Sequence, residues 1–341
     1  MLANFLDLEP LAQAEIIEFG ARQLGRDPHV IEKDIWVCWA LEHLFTMPDA
    51  LPMAFKGGTS LSKVFNLIDR FSEDIDITLD YRSFAESSAI FSPLSSNTAR
   101  KKISEGLKVL VSNHLEYKVI PYIRKILDRY STNNAYLEFQ EGEKIIIHYP
   151  SVLHSHTNNN YLGKQILVEF GGRNITEPNQ TYRVDPYLAK IVANLHFPCA
   201  QVVVLSPKRT FWEKATLIHV ECNRQAFREN ANRLSRHWYD LFKLSFHETF
   251  LETLEDLALL NDVVKHKKAF YNAPYAHYEA CLEGKLRLVP GEPYLRELKI
   301  DFQKMLDAGM FYEEPSSFED IIASLSKIEQ KINLLTMKSF A

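Results

Sequence analysis

Cysteine is scarce in this chain: Cys38, Cys199, Cys222 and Cys281 are scattered through 341 residues, with no Cys-x-x-Cys pair. That spacing excludes a thiolate zinc site and a disulfide frame, and it fits reduced thiols in a cytoplasmic protein. Long apolar runs are missing too. Nothing nears the ~18–20 consecutive residues needed to cross a bilayer. The opening Met1-Leu2-Ala3-Asn4-Phe5-Leu6-Asp7 lacks the basic start and apolar core of a signal peptide, so neither export nor membrane insertion is expected. A basic excess is also absent, since 39 Lys and Arg face 44 Asp and Glu for a net charge of −5. Proteins that live on nucleic acid are usually basic, so any nucleic-acid contact here must be local and transient. No internal repeat or low-complexity tract is visible. What remains is an ordinary globular composition, 46% hydrophobic and 24% charged, long enough for two domains or for one large domain with a helical appendage.

The most informative stretch is Phe55-Lys56-Gly57-Gly58-Thr59-Ser60-Leu61-Ser62-Lys63-Val64-Phe65, followed by Ser72-Glu73-Asp74-Ile75-Asp76-Ile77. It reads as a strand end, a Gly-Gly turn, a short helix and a second strand, within residues 51–80. Two glycines let the backbone approach a bulky anion and adopt positive φ without Cβ strain. Thr59 or Ser60 is expected to cap the following helix, whose free N–H groups favour phosphate. Asp74 and Asp76, two apart on a strand, point to the same face. Adjacent carboxylates repel unless a cation sits between them, and hard oxygen ligands suit Mg²⁺ or Mn²⁺. A phosphate cradle beside paired carboxylates equips a site for metal-assisted phosphoryl or nucleotidyl transfer from an NTP. The bland alternative is a Gly-rich turn beside a solvated Asp-x-Asp edge.

This constellation resembles the first motif of the DNA polymerase β-like nucleotidyltransferases. The wording Lys-Gly-Gly-Thr-Ser-Leu-Ser-Lys, then Arg-Phe-Ser-Glu-Asp-Ile-Asp, is similar to the AbiEii/AbiGii toxin family of type IV toxin–antitoxin and abortive-infection systems. The resemblance implies an α+β fold with an α/β core: a mixed nucleotidyltransferase sheet with helices over residues 1–205. A largely helical part over 206–341 is expected to complete the active site. The cradle is then Gly57, Gly58, Thr59 and Ser60, with Lys56 and Lys63 beside it. Enzymes of this superfamily place a third metal carboxylate on the strand next to Asp-x-Asp. Glu169, in Val-Glu-Phe-Gly-Gly-Arg on an expected strand 164–170, is the candidate; otherwise it is an ordinary polar strand position. Arg-Thr-Phe-Trp-Glu-Lys resembles the family's lysine segment, making Lys214 the phosphate lysine with Arg209 as helper. Thr210 and Glu213 stand in capping-box spacing, so Lys214 is expected in a first helical turn, where a lysine gains nothing from the dipole. Ser-Arg-His-Trp-Tyr-Asp matches the family's next segment. It implies that Asp240 orients Lys214 or acts on the incoming hydroxyl; the alternative is a buried aspartate paired with Arg236.

Other features leave their alternatives open. Asp27-Pro28 is a helix start, and the Glu32-Lys33-Asp34 that follows fits the family as well as it fits a solvated first turn. Residues 81–97 read as an irregular link and 97–126 as a helix with Leu107, Leu110, Val111 and Leu115 on one face. Arg100, Lys101 and Lys102 read as a solvated basic face or an anion site. His148, His154 and His156 have no fixed ligand spacing and read as solvated. Lys265, Lys267 and Lys268 either touch an RNA backbone or form a solvated helix face. The reading as a whole is a nucleotidyltransferase toxin acting on an NTP and transiently on a tRNA acceptor end, with a cognate antitoxin. The alternatives are a small-molecule nucleotidyltransferase of the antibiotic-modifying kind, or a non-catalytic nucleotide-binding protein.

Overall fold

The computed structural model describes residues 2–84, 90–92, 96–153, 163–224 and 233–339, with 131–133 as backbone only. The chain divides into two compact units. The first holds residues 1–64, 72–88 and 103–204, and the second 65–71, 89–102 and 205–341. Two short excursions of the N-terminal half, 65–71 and 89–102, belong to the second unit without any compositional sign.

The first unit is a mixed sheet with helices. Ala3–Asn4 (β1) and Leu195–His196 (β8) form a small parallel pair. The main sheet has seven strands in the order β4-β5-β6-β3-β2-β9-β7. These are Met53–Lys56 (β2), Ile75–Asp80 (β3), Tyr136–Gln140 (β4), Lys144–His148 (β5), Gln165–Asn174 (β6), Asn179–Val184 (β7) and Ala200–Leu205 (β9). β3 runs parallel to β6 and antiparallel to β2, which runs parallel to β9. Along β6 burial alternates strictly: Ile166, Val168 and Phe170 are buried while Leu167 and Glu169 take the other, half-open face, as the alternation of the sequence requires.

Pro10–Leu24 (α1) and Pro28–Phe45 (α2) precede the sheet. Asp27 caps α2 by accepting from the His29 amide at 2.8 Å, and Pro28 gives up a donor that the first turn does not use. α2 is apolar all round, with Ile31, Ile35, Trp36, Cys38, Trp39 and Leu41 buried, and such a helix lies inside a core. Asn97–His114 (α4) leads through a π turn at Leu115–Val119 into Ile120–Leu127 (α5), close to the expected helix 97–126. Leu107, Val111 and Leu115 are buried as expected, but Leu110 is exposed. A Cβ on Gly172 would lie 2.3 Å from Val111, so glycine there is what admits α4 against β6.

The second unit is helical: Pro207–Cys222 (α6), Arg236–Leu244 (α7), Phe250–Glu255 (α8), Leu257–Phe270 (α9), Tyr294–Asp307 (α10) and Phe318–Ser339 (α11). Its core holds Phe211, Trp212, Trp238 and Leu241, and the Trp238 indole N–H donates to the Leu288 carbonyl at 2.8 Å. The excursion 65–71 is bonded into this unit. The Phe71 amide donates to the Met310 carbonyl at 2.7 Å, the Tyr312 amide donates to the Asp69 carbonyl at 3.0 Å, and Lys243 pairs with Asp69 at 2.6 Å.

Candidate active site

In the first unit the Gly-Gly/Asp-x-Asp motif forms β2, a short helix Gly57–Lys63 (α3), and β3. The helix begins at Gly57, so the expected capping by Thr59 or Ser60 does not occur. Both hydroxyls lie inside the helix and serve other groups. Thr59 Oγ1 donates to the Asp74 carbonyl at 2.6 Å and lies 3.0 Å from Ser72 Oγ, while Ser60 Oγ donates to the Gly57 carbonyl at 2.9 Å. Thr59 thus fastens the start of β3 to the helix.

Gly57 has φ +79°, and a Cβ there would fall 1.9 Å from Asp76 Oδ2. The Asp76 carboxylate therefore occupies the space that a side chain would take, directly against the turn. Gly57→Ala should both strain the backbone, by about 1–2 kcal/mol, and displace that carboxylate. The expected result is a fall of roughly ten- to a hundredfold in nucleotide transfer, read as an initial rate beside a thermal melt; an unchanged rate would show that the close approach is unimportant.

Across the sheet Asp76 is in register with Glu169 on β6 and with Lys56 on β2, and Glu169 is in register with Lys144 on β5. In-register neighbours share a face, which gives a row Lys56–Asp76–Glu169–Lys144 with two carboxylates between two lysines. Lys144 stands 3.5 Å from Glu169, whose side chain is 41% exposed. Lys144 escaped the sequence reading, although its place across from Glu169 follows from pairing the two strands. Asp74, Asp76 and Glu169 supply hard oxygen donors of the kind a divalent cation takes. Among the described residues, however, no three His, Cys, Asp or Glu side chains are gathered closely enough to hold a metal ion. Register brings Asp76 and Glu169 alongside one another without closing a metal cage.

Lys63 is not directed outward. Its buried ammonium pairs with Asp34 of α2 and lies 4.3 Å from the Tyr187 ring centroid. Burial alone would lower its pKa, but Asp34, Cys38 and Tyr187 more than offset this and raise it. The Glu32-Lys33-Asp34 triplet is not a solvated first turn either, because all three side chains are buried. The signal that reveals this is the apolar pattern on every face of α2, since three consecutive residues on such a helix cannot all reach water. His148 is half-buried, stacks on Tyr136 at 4.0 Å and stands 3.0 Å from Glu138; His154 and His156 lie outside the described residues.

In the second unit α6 starts earlier than its sequence suggests. Ser206 caps it, accepting from the Lys208 amide at 3.2 Å, with Pro207 as the first helical residue. Thr210 and Glu213 therefore form no capping box. Glu213 instead pairs with Arg209, and the Thr210 hydroxyl is buried without a hydrogen-bond partner. Lys214 lies in mid-helix, so the dipole argument for it lapses. Arg209 is 1% exposed and also pairs with Asp262 at 2.8 Å.

Lys214 Nζ donates to Asp240 Oδ2 at 2.8 Å. Asp240 is completely buried, and Arg70 grips the same carboxylate through Nε and Nη2, both at 2.7 Å. One buried carboxylate thus serves two cations. Burial would raise the Asp240 pKa, but Arg70 and Lys214 outweigh it and hold the carboxyl well below the usual range. Lys214 goes down, first from burial and then from the Arg70 charge, against the pull of Asp240. Arg70 was not singled out from the sequence, and its place four residues before Asp74 was the available signal. Lys265 lies over Phe91, Lys267 over Tyr271, and Lys268 pairs with Glu279.

A family model described as nucleotidyl transferase AbiEii toxin, type IV TA system, matches residues 39–324. The chain belongs to this family. As an AbiEii protein it is a nucleotidyltransferase of the toxin–antitoxin class, with an NTP as substrate and an antitoxin as partner. No curated protein matches it. Among solved structures it is similar to MenT4, a nucleotidyltransferase toxin from Mycobacterium tuberculosis, with a TM-score of 0.45 and 14% identity over 93% of this chain and 89% of that one. No helix among the described residues of this AbiEii protein is long and apolar enough to cross a membrane.

Proposed function

We propose that this AbiEii protein transfers a nucleoside monophosphate from an NTP to the 3′ end of a tRNA in the cytoplasm, and that the blocked acceptor end halts translation, as in growth arrest on phage infection. The observation that carries the reading is the Asp76 carboxylate, seated against the Gly57 turn and in register with Glu169.

In this reading Gly57 and Gly58, with Thr59 and Ser60 behind them, cradle the triphosphate, because successive glycines let the backbone approach a bulky anion closely. Lys56, in register with Asp76, adds a cation on the same face. Asp76 and Glu169, alongside one another on the sheet, and Asp74 just before the strand would have to draw together around a divalent cation, Mg²⁺ or Mn²⁺, which would supply neutralisation of phosphate charge and ease the departure of pyrophosphate. The acceptor hydroxyl oxygen bonds to the α-phosphorus, the bond from that phosphorus to the bridging oxygen breaks with pyrophosphate leaving on that oxygen, and the hydroxyl proton passes to solvent. Lys214 is assigned to phosphate charge as the lysine of the Arg-Thr-Phe-Trp-Glu-Lys segment that resembles the family's, and its ammonium donates to Asp240 Oδ2. Asp240 holds the lysine in place.

The acceptor is tested by incubating the protein with each α-labelled NTP and total tRNA, beside tRNA whose terminal ribose has been oxidised with periodate. Label should enter intact tRNA, be lost with EDTA, and be absent from the oxidised sample. Equal labelling of oxidised tRNA would overturn the 3′-end assignment, and labelling only of small molecules would favour the antibiotic-modifying class.

A further inference from the structure

The buried triplet Glu32-Lys33-Asp34 on α2 has no part in the chemistry above, yet two of its members touch the two arms of the Gly-Gly/Asp-x-Asp motif. Lys33 pairs with Glu73, the residue immediately before Asp74, and donates to the Gly163 carbonyl at 3.1 Å. Asp34 pairs with Lys63 at the end of α3 and accepts from the Tyr187 amide at 2.7 Å. Glu32 turns elsewhere, accepting from Ser151 Oγ and the Val152 amide, each at 2.7 Å.

Burying a lysine–glutamate pair is costly, and an apolar pair of similar volume is often as stable or more so. What such a pair does supply is a fixed position for the chain that carries it. Glu73 is held from α2 by Lys33, and the next residue is held from α3 by Thr59, which donates to the Asp74 carbonyl at 2.6 Å. The backbone entering β3 is therefore clamped on two sides just where its carboxylates begin. The Lys33 side chain is 4% exposed and that of Glu73 11%, so water does little to weaken the clamp.

We propose that Lys33 is a positioning residue for nucleotidyl transfer: through Glu73 it sets the direction in which Asp74 and Asp76 leave the turn, while Asp34 through Lys63 sets the helix opposite. The proposal rests on the nucleotidyl-transfer reading. Lys33 touches neither substrate nor metal; it acts on the carboxylates through the residue beside them.

The test uses the full chain as wild type, Lys33→Met, Lys33→Arg and Glu32→Gln. Three quantities are read: the thermal midpoint, the Mg²⁺ concentration giving half-maximal calorimetric binding of an NTP analogue with a non-hydrolysable α,β bridge, and kcat for label transfer. Residues that orient ligating groups typically change metal affinity or activity 10- to 100-fold. Lys33→Met should accordingly raise the Mg²⁺ requirement about tenfold or more and lower kcat. Lys33→Arg should restore part of both, and Glu32→Gln should leave both unchanged whatever its midpoint. If Lys33→Met does not fold, Glu73→Gln takes its place with the same expectation. A wild-type Mg²⁺ requirement and kcat in Lys33→Met, or an equal shift in Glu32→Gln, would overturn the proposal while leaving the transfer reading intact. A wild-type protein that neither binds the analogue nor transfers label would overturn the transfer reading itself, and this proposal with it.

Discussion

Asp240→Ala should cost about 3–5 kcal/mol of stability, the usual penalty for removing one partner of a buried ion pair. The reason is specific to its surroundings. Arg70 makes two hydrogen bonds to this carboxylate and Lys214 makes one, all within a buried cluster. Alanine removes the carboxylate that the two buried cations share, and arginine cannot relieve the strain by giving up its proton. Asp240→Asn keeps the shape but not the charge, and should fall between alanine and wild type. Urea unfolding at neutral pH measures both. A loss under about 1 kcal/mol for alanine would mean that the cluster is more hydrated than its burial indicates. Acid provides a second check. The folded Asp240 pKa lies below its unfolded value, so its stabilising contribution is complete above the ordinary aspartate value of about 4 and is lost as pH falls towards the folded one. The difference between wild type and Asp240→Ala should therefore shrink below about pH 4.

Asp76→Asn should have the opposite profile, with little change in stability and near-complete loss of transfer. Asp76 is only partly buried and shares its face with Glu169. Asparagine keeps the shape of this partly exposed side chain, and interactions of exposed charges contribute little, so stability should change by no more than about 1 kcal/mol. Transfer should drop about a thousandfold or more, equivalent to roughly 4 kcal/mol of transition-state stabilisation. Initial rates of label transfer at saturating NTP, beside a urea curve, separate the two effects. A variant within about threefold of wild type would remove Asp76 from the chemistry.

The parts of the fold that could be read from sequence were those set by local spacing. The Gly-Gly turn, the strand that carries Asp76, the Asp27-Pro28 helix start and the alternation around Glu169 each depend on a few neighbouring residues, although Asp74, expected on that strand, lies just before it. What escaped depends on residues distant in the chain. Arg70 and Asp240 are separated by 170 positions, and no local pattern ties them. Lys33 resembles a surface lysine until the apolar faces of α2 are counted on all sides. The error at α6 was of another kind: Ser206-Pro207 is a strong start signal, but the Thr210–Glu213 spacing imitated one a turn later. β7, largely exposed along Asn179–Val184, carries too little apolar alternation to be recognised as an edge strand.

The central claim is that the Asp-x-Asp carboxylates beside the Gly-Gly turn carry nucleotide transfer. It is tested most directly by placing wild type and Asp76→Asn, matched for folding by circular dichroism, side by side with α-labelled NTPs, Mg²⁺ and total tRNA. The account predicts label on tRNA with wild type and essentially none with the variant. Equal labelling by both proteins, or none by either across all four NTPs, would contradict it.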